Sequence, residues 1–224
     1  MNILALDSSV EVLSAALTAK TGAWYIEAVA GTRHSELLME CIETLCKLAE
    51  IQPKDLNFVA CMQGPGSFTG LRIGFSAAKG LSMALGIPLT SIPTLDCMAY
   101  HLSMWPGIVI PSIDAKKSCV YAALYRNGSP ISGYMDIPPE TLAKMVLEKR
   151  LSANEPIVLT GPGAVFLLPF LSDFIPPVQL DPAYKRGRAR ELLEIAKSSI
   201  VKGENNVDSG PLYLRKSDAE LNLG

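Results

Sequence analysis

The most constraining feature of this sequence is the glycine-rich turn GPGSFTGLRIG, residues 64–74, which follows the apolar residues 58–62. An apolar run, a tight turn and a second apolar segment predict a strand, a loop and the start of a helix. Free N–H groups at such a start could hold a phosphate or carboxylate. A Walker A loop, however, needs Lys and Ser or Thr where Leu71 and Arg72 stand, and a dinucleotide loop needs a small residue at Thr69. We therefore interpret the turn as a packing element.

The helix after this turn is predicted to end at about Leu85, with Ser67 or Thr69 capping its start and Gly86 following its end. Apolar residues surround most of its axis, so burial on nearly all sides is expected. Gly74 inside the helix lowers helix stability by about 1 kcal/mol relative to Ala. We therefore expect that the glycine is needed because another part of the chain packs closely against the helix. The narrow polar ridge of the helix consists of Arg72, Ser76 and Lys79.

Composition excludes several classes of protein. With 49% hydrophobic residues among 224, the chain can bury a sizeable core. A net charge of −2 gives no general attraction to nucleic acid or to an anionic membrane. No secretory pattern and no apolar run near 18 residues is found, so a cytoplasmic protein without membrane contact is expected. The five cysteines form no C-x-x-C pair and are expected to be reduced core thiols.

The chain repeats one local pattern in its two halves. Residues 3–7 end in Asp7 and residues 108–114 end in Asp114, and each run is followed by two further apolar runs typical of an antiparallel meander. With Pro106 and Gly107 as the boundary, this predicts an N-terminal lobe of residues 1–105 and a smaller C-terminal lobe of residues 106–224. The last residues are expected to pack back on the first lobe.

Five motifs, taken together and in this order, resemble the TsaB (YeaZ) family. They are ILALDSS (3–9), HSELL (34–38), GPGSFTGLRIG (64–74), IDAK (113–116) and PLYLR (211–215). The resemblance implies a two-lobed α/β fold of the actin/Hsp70/sugar-kinase (RNase H-like) type, with mixed sheets flanked by helices. It also implies a non-catalytic subunit required for threonylcarbamoyladenosine modification of tRNAs that read codons beginning with adenine.

Nucleotide-binding members of that superfamily carry glycine in the turns that correspond to those after Asp7 and Asp114. Here Ser8 and Ala115 follow the two aspartates, and without glycine the backbone cannot approach a phosphate closely. We expect no cofactor on the isolated chain, with ATP or ADP at the interface of a complex as the alternative. Asp7 could coordinate Mg²⁺ or accept hydrogen bonds from nearby N–H groups. The candidate cofactor-binding residues are Asp7, Gly64 and Gly66.

The catalytic paralogue TsaD carries a His-x-x-x-His metal pair, which aligns here with Thr94 and Met98. Neither side chain is a usable ligand for iron or zinc, so the resemblance implies no metal and no catalytic residue. His34 has the neighbours of a base, but the sequence assigns it no nucleophile or metal partner. The alternative function is an independent ATP-binding enzyme or a peptidase of the same superfamily, and the missing glycines and histidines argue against both.

Two helices form the expected partner surface. The helix after Thr32 has an apolar arc wider than one supporting surface needs, and Leu37 and Ile42 lie at its opposite edges, so one should face the core and the other a partner. The resemblance implies a heterodimer with TsaD, cooperation with the ATPase TsaE, and a homodimer when the chain is alone. The expected interface residues are Leu37, Leu38, Cys41, Ile42, Gly70, Ile73, Gly74 and Ala77.

Four cations precede or begin the last predicted helix, where the helix dipole disfavours them. A solvated face is the default interpretation, and contact with the tRNA backbone or with an acidic patch on a partner is the alternative. We therefore expect tRNA to be contacted only indirectly or through these residues. They are Lys185, Arg186, Arg188 and Arg190.

Overall fold

Two mixed β-sheets with flanking helices make up the fold in a computed structural model, which describes residues 1–172, 177–202 and 210–215. Contacts divide the chain into two compact units. The first contains the described residues of Met1–Cys97 and Gly187–Leu212, and the second those of Met98–Arg186 and Tyr213–Gly224. Within the described ranges, no helix combines the length and the apolar character needed to cross a membrane.

The first unit is built on a five-stranded sheet in the order β3-β2-β1-β4-β5. Its strands are β1 (Ile3–Asp7), β2 (Val12–Ala19), β3 (Gly22–Val29), β4 (Phe58–Gly64) and β5 (Leu89–Pro93). Strands β1 to β3 form an antiparallel meander, as predicted, whereas β4 and β5 continue the sheet in parallel. Parallel neighbours need crossover connections, which α1 (His34–Leu48) and α2 (Phe68–Leu85) supply.

Helices cover both faces of this sheet. Leu38 and Leu45 of α1 pack with Phe75 of α2 in one core cluster. On the opposite face, α6 (Ala189–Lys202) buries Leu192 and Leu193 against β1 and β4. The expected boundary at residue 105 places α6 in the second lobe, but its apolar stripe packs on the first sheet, so α6 belongs to the first unit.

The second unit repeats the arrangement of the first. Strand β6 (Ile108–Asp114) lies between antiparallel β7 (Val120–Ala122) and parallel β11 (Ile157–Thr160), as β1 lies between antiparallel β2 and parallel β4. The other strands are β8 (Tyr125–Arg126), β9 (Ser129–Pro130), β10 (Met135–Ile137) and β12 (Val178–Leu180), and the helices are α4 (Pro139–Lys149) and α5 (Ala164–Ser172). The short helix α3 (Thr94–Tyr100) spans the division between the units.

The glycine-rich turn packs directly on the loop that follows β1. A Cβ atom on Gly66 would overlap the carbonyl oxygen of Ser9, and one on Gly70 would overlap that of Ser8. The Ser67 N–H donates to the Ser9 carbonyl at 2.7 Å, and Ser8 Oγ donates to the Gly70 carbonyl at 2.8 Å. The turn therefore serves close packing of two backbone segments, as the sequence indicates.

Helix α2 begins and ends where its caps predict, but it is not buried on nearly all sides. Ser67 Oγ accepts the Gly70 N–H at 3.3 Å, and Gly86 ends the helix with a φ of 66°. The outer face is open to solvent, and Met83 on it is 75% exposed. The expectation was wrong on this point because one sheet and α1 cover only the inner face of the helix.

We predict that Gly70→Ala lowers the free energy of unfolding by about 2–3 kcal/mol, since its methyl group would overlap backbone that cannot easily move. Gly80→Ala is the matched control, because no heavy atom lies within 4 Å of a Cβ atom there. It should raise stability by about 0.5–1 kcal/mol. Urea unfolding followed by circular dichroism measures both, and equal effects would contradict the packing role of the turn.

Candidate functional site

Asp7, the leading cofactor candidate, is fully buried at the end of β1. Its Oδ1 accepts the N–H and the hydroxyl of Ser9 at 3.0 and 2.6 Å, and its Oδ2 accepts the Arg188 N–H at 2.9 Å. Arg188 immediately precedes α6, so the carboxylate lies at the positive end of that helix dipole. Three donors thus satisfy Asp7, which acts as a cap for α6.

Further contacts hold the start of α6 in the same place. Ser14 Oγ accepts the Ala189 N–H at 3.1 Å, and the Tyr25 hydroxyl lies 3.0 Å from the Gly187 carbonyl oxygen. A Cβ atom on Gly187 would overlap Ser14. Burial, aided by the hydrogen bond to Glu27, raises the pKa of Tyr25 and keeps its hydroxyl protonated.

Protein atoms also occupy the space beside the two candidate glycines. Gly64 has a φ of 111°, and a Cβ atom on it would lie 2.6 Å from the Leu212 carbonyl oxygen, while Gly66 packs on Ser9. The Leu212 N–H donates to the Gln63 carbonyl at 2.7 Å, so this part of the C-terminal segment packs on the first unit. Cofactor binding through Asp7, Gly64 and Gly66 stays a prediction, and the contacts give each of the three a structural role.

The residues considered for catalysis or metal binding lie in structural positions. His34 is buried at the start of α1, with Nε2 2.8 Å from the Val10 carbonyl oxygen. Thr94 and Met98 are both buried. In the described parts of the chain, no three His, Cys, Asp or Glu side chains converge in a way that could hold a metal ion.

Asp181 is the centre of a polar cluster in the second unit. It binds His101 Nε2 at 2.9 Å, the Thr160 hydroxyl at 2.7 Å and the Ala183 N–H at 2.9 Å. Burial alone would raise the pKa of this carboxyl, but the three hydrogen bonds outweigh it and lower the pKa. The Thr160 hydroxyl donates this hydrogen bond to a carboxylate, whereas the nucleophile of a Ser-His-Asp triad donates to an imidazole.

The turn after Asp114 corresponds to the one after Asp7 but is built differently. Asp114 accepts the Lys116 N–H at 2.8 Å and pairs with the Lys116 ammonium group at 2.7 Å, and this hydrogen bonding lowers the pKa of Asp114. Lys116, Lys117 and Ser118 have φ values of 60°, 52° and 58°, a region that costs about 1–2 kcal/mol for each residue with a Cβ atom. The Asp114 side chain remains 44% exposed.

Five of the eight expected interface residues are buried in the first unit, although Leu38 among them reaches the lining of a groove between α1 and α2. They are Leu38, Cys41, Ile42, Gly70 and Gly74. Ile42 is 2% exposed and faces the core, while Leu37 at the other edge of the arc is partly exposed. Ile73 and Ala77 are also partly exposed. A partner contact on the rest of the apolar arc stays a prediction, and the sequence did not show which edge the sheet covers.

A groove of about 480 Å³ lies between α1 and α2. Within it, the Arg72 guanidinium lies 3.8 Å from the centroid of the Phe68 ring, in a cation–π contact. Met39, 48% exposed, forms part of the groove. The sequence places Arg72 on the polar ridge of α2 but gives no indication of Phe68 as a surface residue, although the i, i+4 spacing places the two on one helix face. The lining residues are Ser35, Leu38, Met39, Phe68, Thr69, Arg72, Ile73, Ser76 and Ala77.

Of the four cations proposed to contact tRNA, Arg188 is excluded. It is 2% exposed, and its guanidinium lies 3.5 Å from the Glu191 carboxylate. The expectation was wrong because the Arg188 N–H donates to the Asp7 carboxylate. This position of the backbone directs the Arg188 side chain into the interior of the first unit. Lys185, Arg186 and Arg190 are exposed, and contact with tRNA through them stays a prediction.

Comparison with known proteins agrees with this architecture. The family model described as TsaD, tRNA N6-adenosine threonylcarbamoyltransferase, matches residues 25–154. A tRNA threonylcarbamoyladenosine biosynthesis protein TsaB from Bacillus subtilis is 34% identical, over 72% of this chain and 71% of its own length. The solved structure of YeaZ from Pseudomonas aeruginosa has a TM-score of 0.77 at 27% identity, covering 95% of this chain and 99% of that chain.

A more distant neighbour defines the fold class. A Bacteroides thetaiotaomicron protein with an actin-like ATPase fold has a TM-score of 0.50 at 11% identity, covering 86% of this chain and 95% of that chain. The mixed sheets and their helices thus place the chain among proteins with an actin-like fold, as predicted. Within that class, the chain belongs to the TsaB (YeaZ) family.

We predict that Asp7→Ala lowers the free energy of unfolding by about 2–3 kcal/mol, because it leaves buried donors of Ser9 and Arg188 without an acceptor. Asp114→Ala, at the equivalent position of the second unit, is the control and should cost less than about 1 kcal/mol, since its ion pair is exposed. Chemical unfolding of both variants checks this. Equal losses would contradict the capping role of Asp7.

A second prediction concerns pH. Since folding lowers the pKa of Asp181, its contribution to stability is present above the unfolded pKa of about 3.9 and is lost as pH falls through the folded value. Asp181→Asn should remove this part of the acid sensitivity. Thermal unfolding of both proteins between about pH 5 and pH 2 tests it. Parallel curves for the two proteins would show that Asp181 contributes nothing.

Proposed function

We propose that this chain is a non-catalytic subunit in the formation of threonylcarbamoyladenosine on tRNA and that it acts by binding TsaD. Membership in the TsaB family and the groove between α1 and α2 support this proposal. The observation that carries it is the open outer face of α2, on which Met83 is 75% exposed and Arg72 stacks on Phe68. Exposed apolar surface of this kind marks an interaction site.

The residues at the positions considered for cofactor and metal binding support the non-catalytic role. Asp7 accepts hydrogen bonds from the Ser9 and Arg188 donors, and the resemblance to TsaD implies that Thr94 and Met98 take the places of its metal ligands. We infer that the isolated chain binds no nucleotide and that ATP or ADP binds at the interface of the complex, with TsaE as the ATPase. We place the protein in the cytoplasm, with tRNA contacted indirectly or through exposed cations.

When TsaD is absent, the same surface would form a homodimer. Helix α1 exposes Glu36, Glu40 and Glu43, whereas α2 exposes Arg72 and Lys79. Two copies could therefore pair the acidic helix of one with the basic helix of the other. An interface of ordinary size buries about 1,600 Å² in total, which two helices and their flanks can supply.

We predict that Met39→Asp leaves the fold intact and abolishes association with TsaD, because Met39 is a half-exposed part of the groove. Ile42→Asp on the same helix should destabilise the fold by about 3 kcal/mol or more, since it buries an unpaired charge. Circular dichroism and analytical ultracentrifugation with and without TsaD separate the two outcomes.

Leu147→Asp is the matched control, since Leu147 is 49% exposed on α4 in the second unit. This variant should fold and associate normally. If Met39→Asp folds and binds TsaD as tightly as the unchanged chain, the groove is not the partner surface.

A further inference from the structure

We propose that Arg215 is the latch of a conformational switch in the second unit, where it holds the turn of residues 115–118 in a strained left-handed form. Residues 213–215 belong to this unit, and the residue that Arg215 contacts in the turn lies 100 positions earlier in the chain. The turn opens when Arg215 leaves its site. The inference goes beyond the proposed function, since it involves neither α1 nor α2 and holds or fails independently of TsaD binding.

The first observation is the set of contacts that Arg215 makes. Its Nε and Nη2 donate to the two carboxylate oxygens of Asp136 at 2.7 and 2.6 Å, and its Nη1 donates to the Ala115 carbonyl at 2.8 Å. The Arg215 and Asp136 side chains are only 23% and 20% exposed. A bidentate pair that is mostly buried is stronger and more directional than an exposed ion pair. Arg215 therefore binds β10 and the turn at the same time.

The second observation is the backbone that Arg215 holds. Lys116, Lys117 and Ser118 have φ values of 60°, 52° and 58°, and three such residues in a row, each with a Cβ atom, are sterically unfavourable. Strain of this kind persists only where the surrounding structure enforces it, and it is often found in switch regions. Ala115 begins the turn, and its carbonyl oxygen is the atom that Arg215 fixes.

The third observation is that the turn's own ion pair is exposed. Asp114 pairs with the Lys116 ammonium group at 2.7 Å, but the Lys116 side chain is 81% exposed and that of Asp114 is 44% exposed. Such a pair contributes little to stability, because water competes for both groups. Two backbone hydrogen bonds also close the turn, between Ala115 and Cys119 at 3.0 Å and between Cys119 and Lys116 at 3.1 Å. The long-range contact to Arg215 therefore decides which form the turn takes.

Release of Arg215 has a defined consequence for the surface of the second unit. The Ala115 carbonyl loses the guanidinium donor, and the three strained residues can return to negative φ values. Lys116 and Lys117 are both exposed, so this change moves two cationic side chains and separates Lys116 from Asp114. The position of these cations is thus coupled to the docking of residues 213–215, and any binding event that displaces those residues opens the turn.

Hydrogen exchange on the full chain alone tests the latch through the Ala115 and Cys119 amides, since both donate within the turn. We expect Arg215→Ala to accelerate their exchange about tenfold or more, because the turn then opens more often. Arg215→Lys should restore only part of the protection, since an ammonium group cannot reproduce the bidentate contact. Lys144→Gln is the control, because it removes an equal charge from an exposed position of α4 in the same unit. It should leave both amides unchanged.

Ser118→Gly distinguishes a switch from a purely structural contact. Glycine adopts a φ near 58° without strain, so in the Arg215→Ala chain this second change should restore part of the protection of the turn. Unchanged exchange in Arg215→Ala would overturn the inference, as would a loss of protection that Ser118→Gly does not reduce. Equal acceleration in residues 139–149 of α4 would also overturn it, since Arg215 would then support the whole unit.

Discussion

The first unit depends on one close approach of two backbone segments, in which the Ser8 and Ser9 carbonyl oxygens lie where Gly70 and Gly66 would carry side chains. Any larger residue at these glycines would separate α2 from the end of β1. The same loop brings Asp7 to the start of α6, because Ser9 donates to the carboxylate that also accepts the Arg188 N–H. One contact thus organises the sheet end, α2 and α6 together.

The close packing of the glycine-rich turn explains why the inner face of α2 is buried while its outer face is exposed. The inner face of α2 packs on the loop and the sheet, and α6 covers the opposite face of the sheet. Part of the outer face of α2 lines the groove beside α1, and the rest, including Met83, is open to solvent. An actin-like fold can support different functions, and here the exposed helical surface is what the proposed role as a partner subunit rests on.

Local signals predicted most elements, and long-range contacts account for the errors. The Ser67 cap, the terminal Gly86 and the β2–β3 meander follow from neighbouring residues. The burial of Arg188 does not, because it depends on a hydrogen bond to Asp7 across the whole chain. For α1, apolar periodicity showed a wide arc but not which edge the sheet would cover. The stacking of Arg72 on Phe68 needs a rotamer that sequence spacing alone does not specify.

Hydrogen exchange tests most directly whether the α1 and α2 faces around the groove bind a partner. Amide exchange would be compared for the chain alone and with TsaD. We expect slower exchange in residues 34–48 and 68–85 on addition of TsaD, with residues 139–149 of α4 unchanged. Protection confined to the second unit, with none in α1 or α2, would contradict it.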